Sequence, residues 1–344
     1  MTDPQLPLGF DPSDLLGTLS EQPKPRAKAR RLVKPDALPA LAPVLDAQAM
    51  AAVLDSHPDY KVLRRLTPIL HFDRRPQGPV IRVLVLDTET TGLDHARDKI
   101  IELAILRVDV DSATGLPVGD VAVYDGLEDP GMPISQEIEA ITGITSQMVL
   151  GHRLDEVKIA SLLVDADLVI AHNAGFDRPF CEARIAAFAN LNWGCSFADI
   201  DWKKEGQGSA KLGHLAMEKG WFYDAHRAEV DCHALLAVLG EPLPSTGQSG
   251  LAKIIEASRG PIYRLQATNA PFDAKDALKA RAYRWNAEQK VWHTQLADES
   301  ELAAECEWLK SEVYGARAAR VQVEKLTAQT KYSNRAGEFS VRQI

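Results

Sequence analysis

Four consecutive apolar residues, Val83-Leu84-Val85-Leu86, run directly into the polar stretch Asp87-Thr88-Glu89-Thr90-Thr91-Gly92. An unbroken apolar run of this kind is what a strand buried on both faces requires, and the polar residues mark where it leaves the core. Residues 100–110 and 118–127 predict the next two strands, with Gly115-Leu116-Pro117 as the turn between them. Leu168-Val169-Ile170-Ala171 is another buried strand. Helical spacing covers 134–149, 154–163, 177–189, 209–219 and 226–239, and a helical lead-in runs from 45 to 66 before Thr67-Pro68. Strands first, then helices alternating with strand, is an α/β arrangement.

Pro242 to Gly250 reads PLPSTGQSG, a Pro, Gly and Ser cluster that marks a linker, taken here as 242–260. Beyond it a small α+β unit is expected: a strand at 262–266, a helix at 273–281, a hairpin pairing Arg284-Trp285 with Val291-Trp292, and a closing helix at 299–314. The chain thus divides into a mostly disordered arm (1–50), the lead-in (51–78), the α/β domain (79–241), the linker (242–260), the small module (261–315) and a C-terminal tail (316–344).

Composition adds exclusions. With 344 residues, 45% hydrophobic and 25% charged, the chain is neither wholly disordered nor fibrous and has the length for two folded units. Its 39 Lys and Arg against 48 Asp and Glu leave a net charge of −9, so the chain as a whole is not a basic coat for nucleic acid. Four scattered cysteines, with no C-x-x-C pair, indicate neither a zinc knuckle nor a disulfide framework. The start, MTDPQLPLGFDPSDLL, lacks the cationic and apolar regions of a signal peptide, and no stretch suggests a transmembrane helix, so a cytoplasmic location with no membrane partner is expected.

The candidate chemistry lies in scattered acids. Asp87 and Glu89 stand two apart at the end of a buried strand, so their carboxylates project to the same side. Asp177 opens a helix after the loop His172-Asn173-Ala174-Gly175-Phe176, and Asp231 shares a helical stripe with Leu235 and Val238. Four acids directed to one end of a sheet repel one another unless cations are shared among them. Oxygen-only ligation suits Mg²⁺ or Mn²⁺, and two such ions about 3.5 to 4 Å apart clamp both oxygens of an in-line phosphoryl displacement. His226, five residues before Asp231, sits at or before its helix start, where an imidazole can swing over such a site and act as general base. Each element alone is common: a single D-x-E is usually a solvated strand end, and His172 reads as a structural histidine that caps its loop. Their joint order is what carries the reading.

In that order the sequence resembles the DEDD superfamily of 3′→5′ exonucleases in its His-containing branch, close to the proofreading epsilon subunit of bacterial DNA polymerase III and to stand-alone epsilon-like exonucleases. Residues 86–92 match the first motif, 171–177 the second and 226–231 the third, while Thr142-Gly143-Ile144-Thr145 is similar to the loop that leans on the terminal nucleotide. The resemblance spans roughly 80–240. It implies a ribonuclease H-like mixed sheet flanked by helices, with Asp87, Glu89, Asp177 and Asp231 as ligands of two divalent metals and His226 as the base. It also implies a substrate-binding set of Thr88, Thr90, Thr91, Gly92, Thr142, Gly143, His172, Asn173 and Phe176. The expected activity is release of nucleoside 5′-monophosphates from single-stranded or frayed 3′ ends of DNA, in repair or proofreading. The rivals are an RNA 3′→5′ exonuclease and a non-catalytic adaptor.

Outside the resemblance, the small module interleaves Tyr283, Trp285 and Trp292 with Lys275, Lys279, Arg281, Arg284 and Lys290, a pattern able to stack bases and meet phosphates, or simply to build a small core. Gln5, Leu6, Leu8 and Phe10 resemble the short peptides by which bacterial proteins bind the sliding clamp.

Overall fold

The computed structural model describes residues 46–315 and 317–344. The clamp-like peptide lies outside them. The elements are α1 (Ala47–Asp55), β1 (Arg64–Arg65), β2 (His71–Phe72), β3 (Val80–Thr90), β4 (Ile100–Asp111), β5 (Pro117–Leu127), α2 (Gln136–Thr142), α3 (Ser146–Val149), α4 (Glu156–Leu163), β6 (Leu168–Ala171), α5 (Ala174–Arg184), β7 (Trp193–Cys195), α6 (Leu212–Glu218), β8 (Trp221–Phe222), α7 (Ala228–Gly240), α8 (Gly250–Arg259), β9 (Ile262–Ala267), α9 (Lys275–Ala280), β10 (Arg284–Asn286), β11 (Val291–Leu296), α10 (Glu299–Trp308), β12 (Arg320–Leu326) and β13 (Glu338–Gln343).

The central sheet has the order β2-β5-β4-β3-β6-β7. Strands β3, β4 and β5 pair antiparallel, whereas β6 and β7 run parallel to β3. This is the mixed sheet flanked by helices that was expected. Val83, Leu84, Val85 and Leu86 are fully buried because both faces of β3 are covered. Val83 and Val85 pack with Cys232 and Leu235 of α7 and with Leu251 and Ile254 of α8. Leu84 and Leu86 pack on the other face with Ile159 of α4 and Phe180 of α5.

Several predicted boundaries move. The lead-in is helical only as far as Asp55; Pro58 cannot continue a helix, and the chain then runs extended so that β1 pairs with β8. The single helix expected over 134–149 is two, because Gly143 takes the left-handed conformation (φ 70°) that closes α2. Half of the expected linker, 250–259, is α8: Ser249 caps its first turn, and buried Leu251 and Ile254 join the α/β core. That apolar face was masked in sequence by the preceding Pro and Gly residues. The expected tail is structured as well. Strands β12 and β13 extend the module's sheet to the order β10-β11-β9-β12-β13, since β9 needs a partner on its second edge. The hairpin of β10 with β11 forms as predicted, pairing Trp285 with Trp292. No described helix is long and apolar enough to cross a membrane.

Candidate active site

Pairing of β3 with β6 ends at Val85 and Ile170, while β3 continues to Thr90. Past that point the chain leaving β6 turns into α5, whose first turn fills the gap. The Thr88 amide and hydroxyl, with no β6 partner, donate to Asp177 Oδ1 at 3.1 and 2.8 Å. Asp87 and Glu89 face the opposite side of the strand, toward α7, and ligand oxygens of Asp87, Glu89 and Asp231 all lie within 4.8 Å of one another. The structure therefore brings Asp87, Glu89 and Asp231 together and ties Asp177 to the intervening Thr88 of the same strand, from positions the sequence scatters over about 145 residues. Thr88 is the tie holding Asp177 to the strand.

Asp231 lies in the first turn of α7 and caps it from within. The amides of His226 and Arg227 both donate to its Oδ2, at 2.7 and 3.2 Å. The predicted helix at 226–239 starts two residues later, and this places His226 just outside it, exposed, in the left-handed region (φ 68°). A non-glycine residue is costly there, and the two amide bonds to Asp231 hold it.

Sequence reasoning missed Glu102. It is fully buried on β4 directly opposite Glu89, accepts Arg227 Nε and a terminal guanidinium nitrogen at 3.0 and 2.7 Å, and accepts the Ala228 amide at 2.9 Å. It thereby anchors the start of α7 and, through it, Asp231 and His226. The available signal was an acid inside an otherwise apolar strand, a position that requires a buried partner.

Burial, then repulsion from Asp177, Asp231 and Glu89, holds the Asp87 carboxyl well above the ordinary carboxylate range. Burial followed by Asp231 does the same to Glu89. Asp177 is pushed up to about 7, chiefly by burial, even though Thr88 opposes the shift. Burial also raises Asp231. Hard oxygen donors that are crowded, desolvated and unable all to ionise together match what a divalent cation of the Mg²⁺ or Mn²⁺ kind requires.

The predicted substrate residues divide. Thr90 donates to Gly92 O at 2.6 Å, and Thr91 holds Asp98 at 3.3 Å and the Lys99 amide at 3.0 Å, so these hydroxyls shape the loop after β3. A Cβ on Gly92 would sit 2.5 Å from Asp98 Oδ2, so a larger residue there requires the Asp98 carboxylate to move. Thr142 is buried with its hydroxyl bonded to Ile138 O at 3.0 Å, which leaves only Gly143 of that pair near the surface. His172 bonds Ser196 Oγ at 2.7 Å and packs edge-on against Phe197; burial pushes it down to about 4, so it stays neutral. These contacts fit the structural role. Asn173 is left-handed at the start of α5, and its buried Oδ1 has no partner among the described residues. Phe176 packs on Phe180, which neighbours His95 beside a cavity of about 280 Å³ lined also by Lys99, Arg153 and Arg184.

Comparison with known proteins places part of the chain beside one family. Residues 84–239 match the exonuclease family RNase_T. The PolC-type DNA polymerase III of Thermotoga maritima is 34% identical over 118 residues, 34% of this chain and 8% of that protein. Its counterpart from Listeria innocua is 37% identical over 118 residues, 33% of this chain and 8% of that protein. The chain thus spans less than a tenth of the length of these curated relatives. Among solved structures, Exonuclease X in complex with 5′ overhanging duplex DNA aligns at 25% identity and a TM-score of 0.38, over 50% of this chain and 98% of that one. Exonuclease I of E. coli with a dA16 oligonucleotide aligns at 20% identity and 0.40, over 54% and 48%. It is thus residues 84–239, a little under half of the chain and carrying the three acidic motifs on β3, α5 and α7, that are similar to the exonuclease family.

Proposed function

We propose that this protein is a metal-dependent 3′→5′ exonuclease that hydrolyses DNA phosphodiester bonds from the 3′ end and releases nucleoside 5′-monophosphates, in repair or proofreading. The observation that carries this reading is the convergence of Asp87, Glu89 and Asp231 within 4.8 Å, with Asp177 tied to the same strand through Thr88. DNA is favoured over RNA by the PolC-type polymerase relatives.

Asp87, Glu89, Asp177 and Asp231 would hold two Mg²⁺ or Mn²⁺ ions. Such ions, when bound, supply charge stabilisation of the phosphoryl oxygens and an activated water. His226 stands exposed at the mouth, its backbone fixed by Asp231, so its imidazole is free to take the proton of the attacking water. The left-handed turn around Asn173 and the loop 90–92 border the place where the last nucleotide would lie. Digestion of 3′-labelled single-stranded DNA, duplex DNA and RNA, with and without a chelator, tests the proposal. Chelator-sensitive release of mononucleotides from the DNA 3′ end is expected; faster RNA digestion would transfer the assignment to the RNA rival, and no digestion with either metal would leave the adaptor.

The module supplies a second contact in the same reading. Tyr283 is buried in its core, whereas Trp285 is 48% exposed beside Trp292, and Arg284, Lys279 and Lys290 are exposed on the same module. Of the module's exposed acids, Glu299, Glu301 and Glu307 lie on α10, Asp276 on α9 and Glu288 in the turn between β10 and β11. An exposed indole among cations can stack a base of a single strand, worth about 1–3 kcal/mol. Trp285→Ala is accordingly expected to raise KM for long single-stranded oligomers about tenfold or more while leaving kcat on a dinucleotide unchanged; equal KM values would remove the module from substrate binding.

A further inference from the structure

Between β12 and β13 the chain leaves the module and crosses to the α/β domain. The Trp193 amide, on the outer edge of β7, donates to Ala328 O at 2.8 Å. Fully buried Lys331 reaches Asp199 Oδ1 at 3.4 Å and Ala257 O at 2.9 Å, and the Tyr332 hydroxyl donates to Asp199 Oδ1 at 2.6 Å. Asp199 Oδ2 in turn accepts the Cys195 amide at 2.8 Å. Arg335 donates to Ala189 O at 2.8 Å, and Asn334 meets His95 at 2.8 Å beside the cavity near the site.

At the centre of this strap is Arg178, the residue after Asp177. Its side chain is fully buried, with Nε on Glu182 at 2.6 Å. One terminal nitrogen donates to Ala328 O at 3.1 Å and Lys331 O at 2.6 Å, and the other donates to Gln329 O at 2.6 Å. A buried guanidinium needs its donors satisfied, and three of these acceptors belong to the strap. Lys331, equally buried, is satisfied only on the α/β domain. Each side therefore completes the other, and the fork fixes the rotation of α5 at the turn that carries Asp177.

We propose that Arg178 is a positioning residue of the exonuclease site and that residues 327–335, delivered by the module, are the seat against which it holds Asp177 in place. This rests on the exonuclease reading above. It makes the module's sheet part of the catalytic apparatus rather than an appendage on a flexible tether.

Arg178→Lys in the full chain keeps the charge but loses the planar fork, and it is the test. Mn²⁺ affinity read by titration, together with kcat and KM on a short oligomer, separates positioning from mere support. Outer partners of metal ligands typically govern affinity or activity about 10- to 100-fold. The expected result is a folded protein with Mn²⁺ affinity and kcat lowered in that range and KM for the oligomer unchanged. Wild-type Mn²⁺ affinity and kcat in folded Arg178→Lys would overturn the proposal. Should that variant not fold, Tyr332→Phe, which loosens the strap without touching α5, is expected to weaken Mn²⁺ binding in the same direction, and unchanged binding would overturn it equally. Absence of nuclease activity in the wild type would count against the exonuclease reading alone, because the Mn²⁺ comparison stands without it.

Discussion

Asp87→Asn with Glu89→Gln is expected to abolish hydrolysis while raising the thermal stability of the metal-free protein. Removing two of the four carboxylates proposed to hold the metals would eliminate several kcal/mol of transition-state stabilisation; a loss of about 4 kcal/mol alone is a factor of about 10³ in rate. The stability effect follows from the raised carboxyl pKa values of Asp87, Glu89, Asp177 and Asp231. A carboxyl whose pKa is higher in the folded state supports folding fully below its unfolded value, and that support is lost as the pH climbs through the folded value. Metal-free wild type should therefore lose stability from about pH 4 upward, through the value of about 7 that Asp177 reaches. The double variant should lose less, melting at least about 2 °C above wild type at pH 8 without metal. Added Mg²⁺ should raise the Tm of the wild type only. Undiminished nuclease activity in this variant would end the assignment.

The second large effect is at His226. His226→Ala should lower kcat by about 10²- to 10⁴-fold, the usual worth of a general base, with Mn²⁺ binding retained because the bond to Asp231 Oδ2 comes from the backbone amide. The left-handed backbone at 226 makes alanine an imperfect probe. Asparagine tolerates that conformation better, so His226→Asn should fold like wild type and show the same loss of turnover. If both variants turned over normally, the proton would be going to another group.

Much of the site is readable from local pattern. A fully apolar run ending in D-x-E can only place two carboxylates side by side where a strand emerges, because alternation along a strand depends on nothing distant. The same holds for the β10–β11 hairpin, whose residues 287–290 lie between two short runs that pair. Helix starts were legible to within a few residues, and at His226 that small error mattered: its position outside α7 depends on Asp231 capping the helix from inside.

Other features rest on partners far away in the chain. Glu102 is an anomaly in a strand until Arg227, 125 residues on, supplies its counter-charge. Residues 250–259 look like the continuation of a linker until the α/β core offers their apolar face a place. The strap at 327–335 is unreadable in sequence, since nothing local announces that Arg178 will bind three backbone carbonyls about 150 positions away. Periodicity and motif spacing were enough for β3, β4, β5, β6 and the β10–β11 hairpin, because those follow from backbone geometry over a few residues. Which buried charge meets which, and that the C-terminal chain closes over the helix bearing Asp177, was decided by tertiary packing: a desolvated ion is tolerable only where the fold brings it a partner.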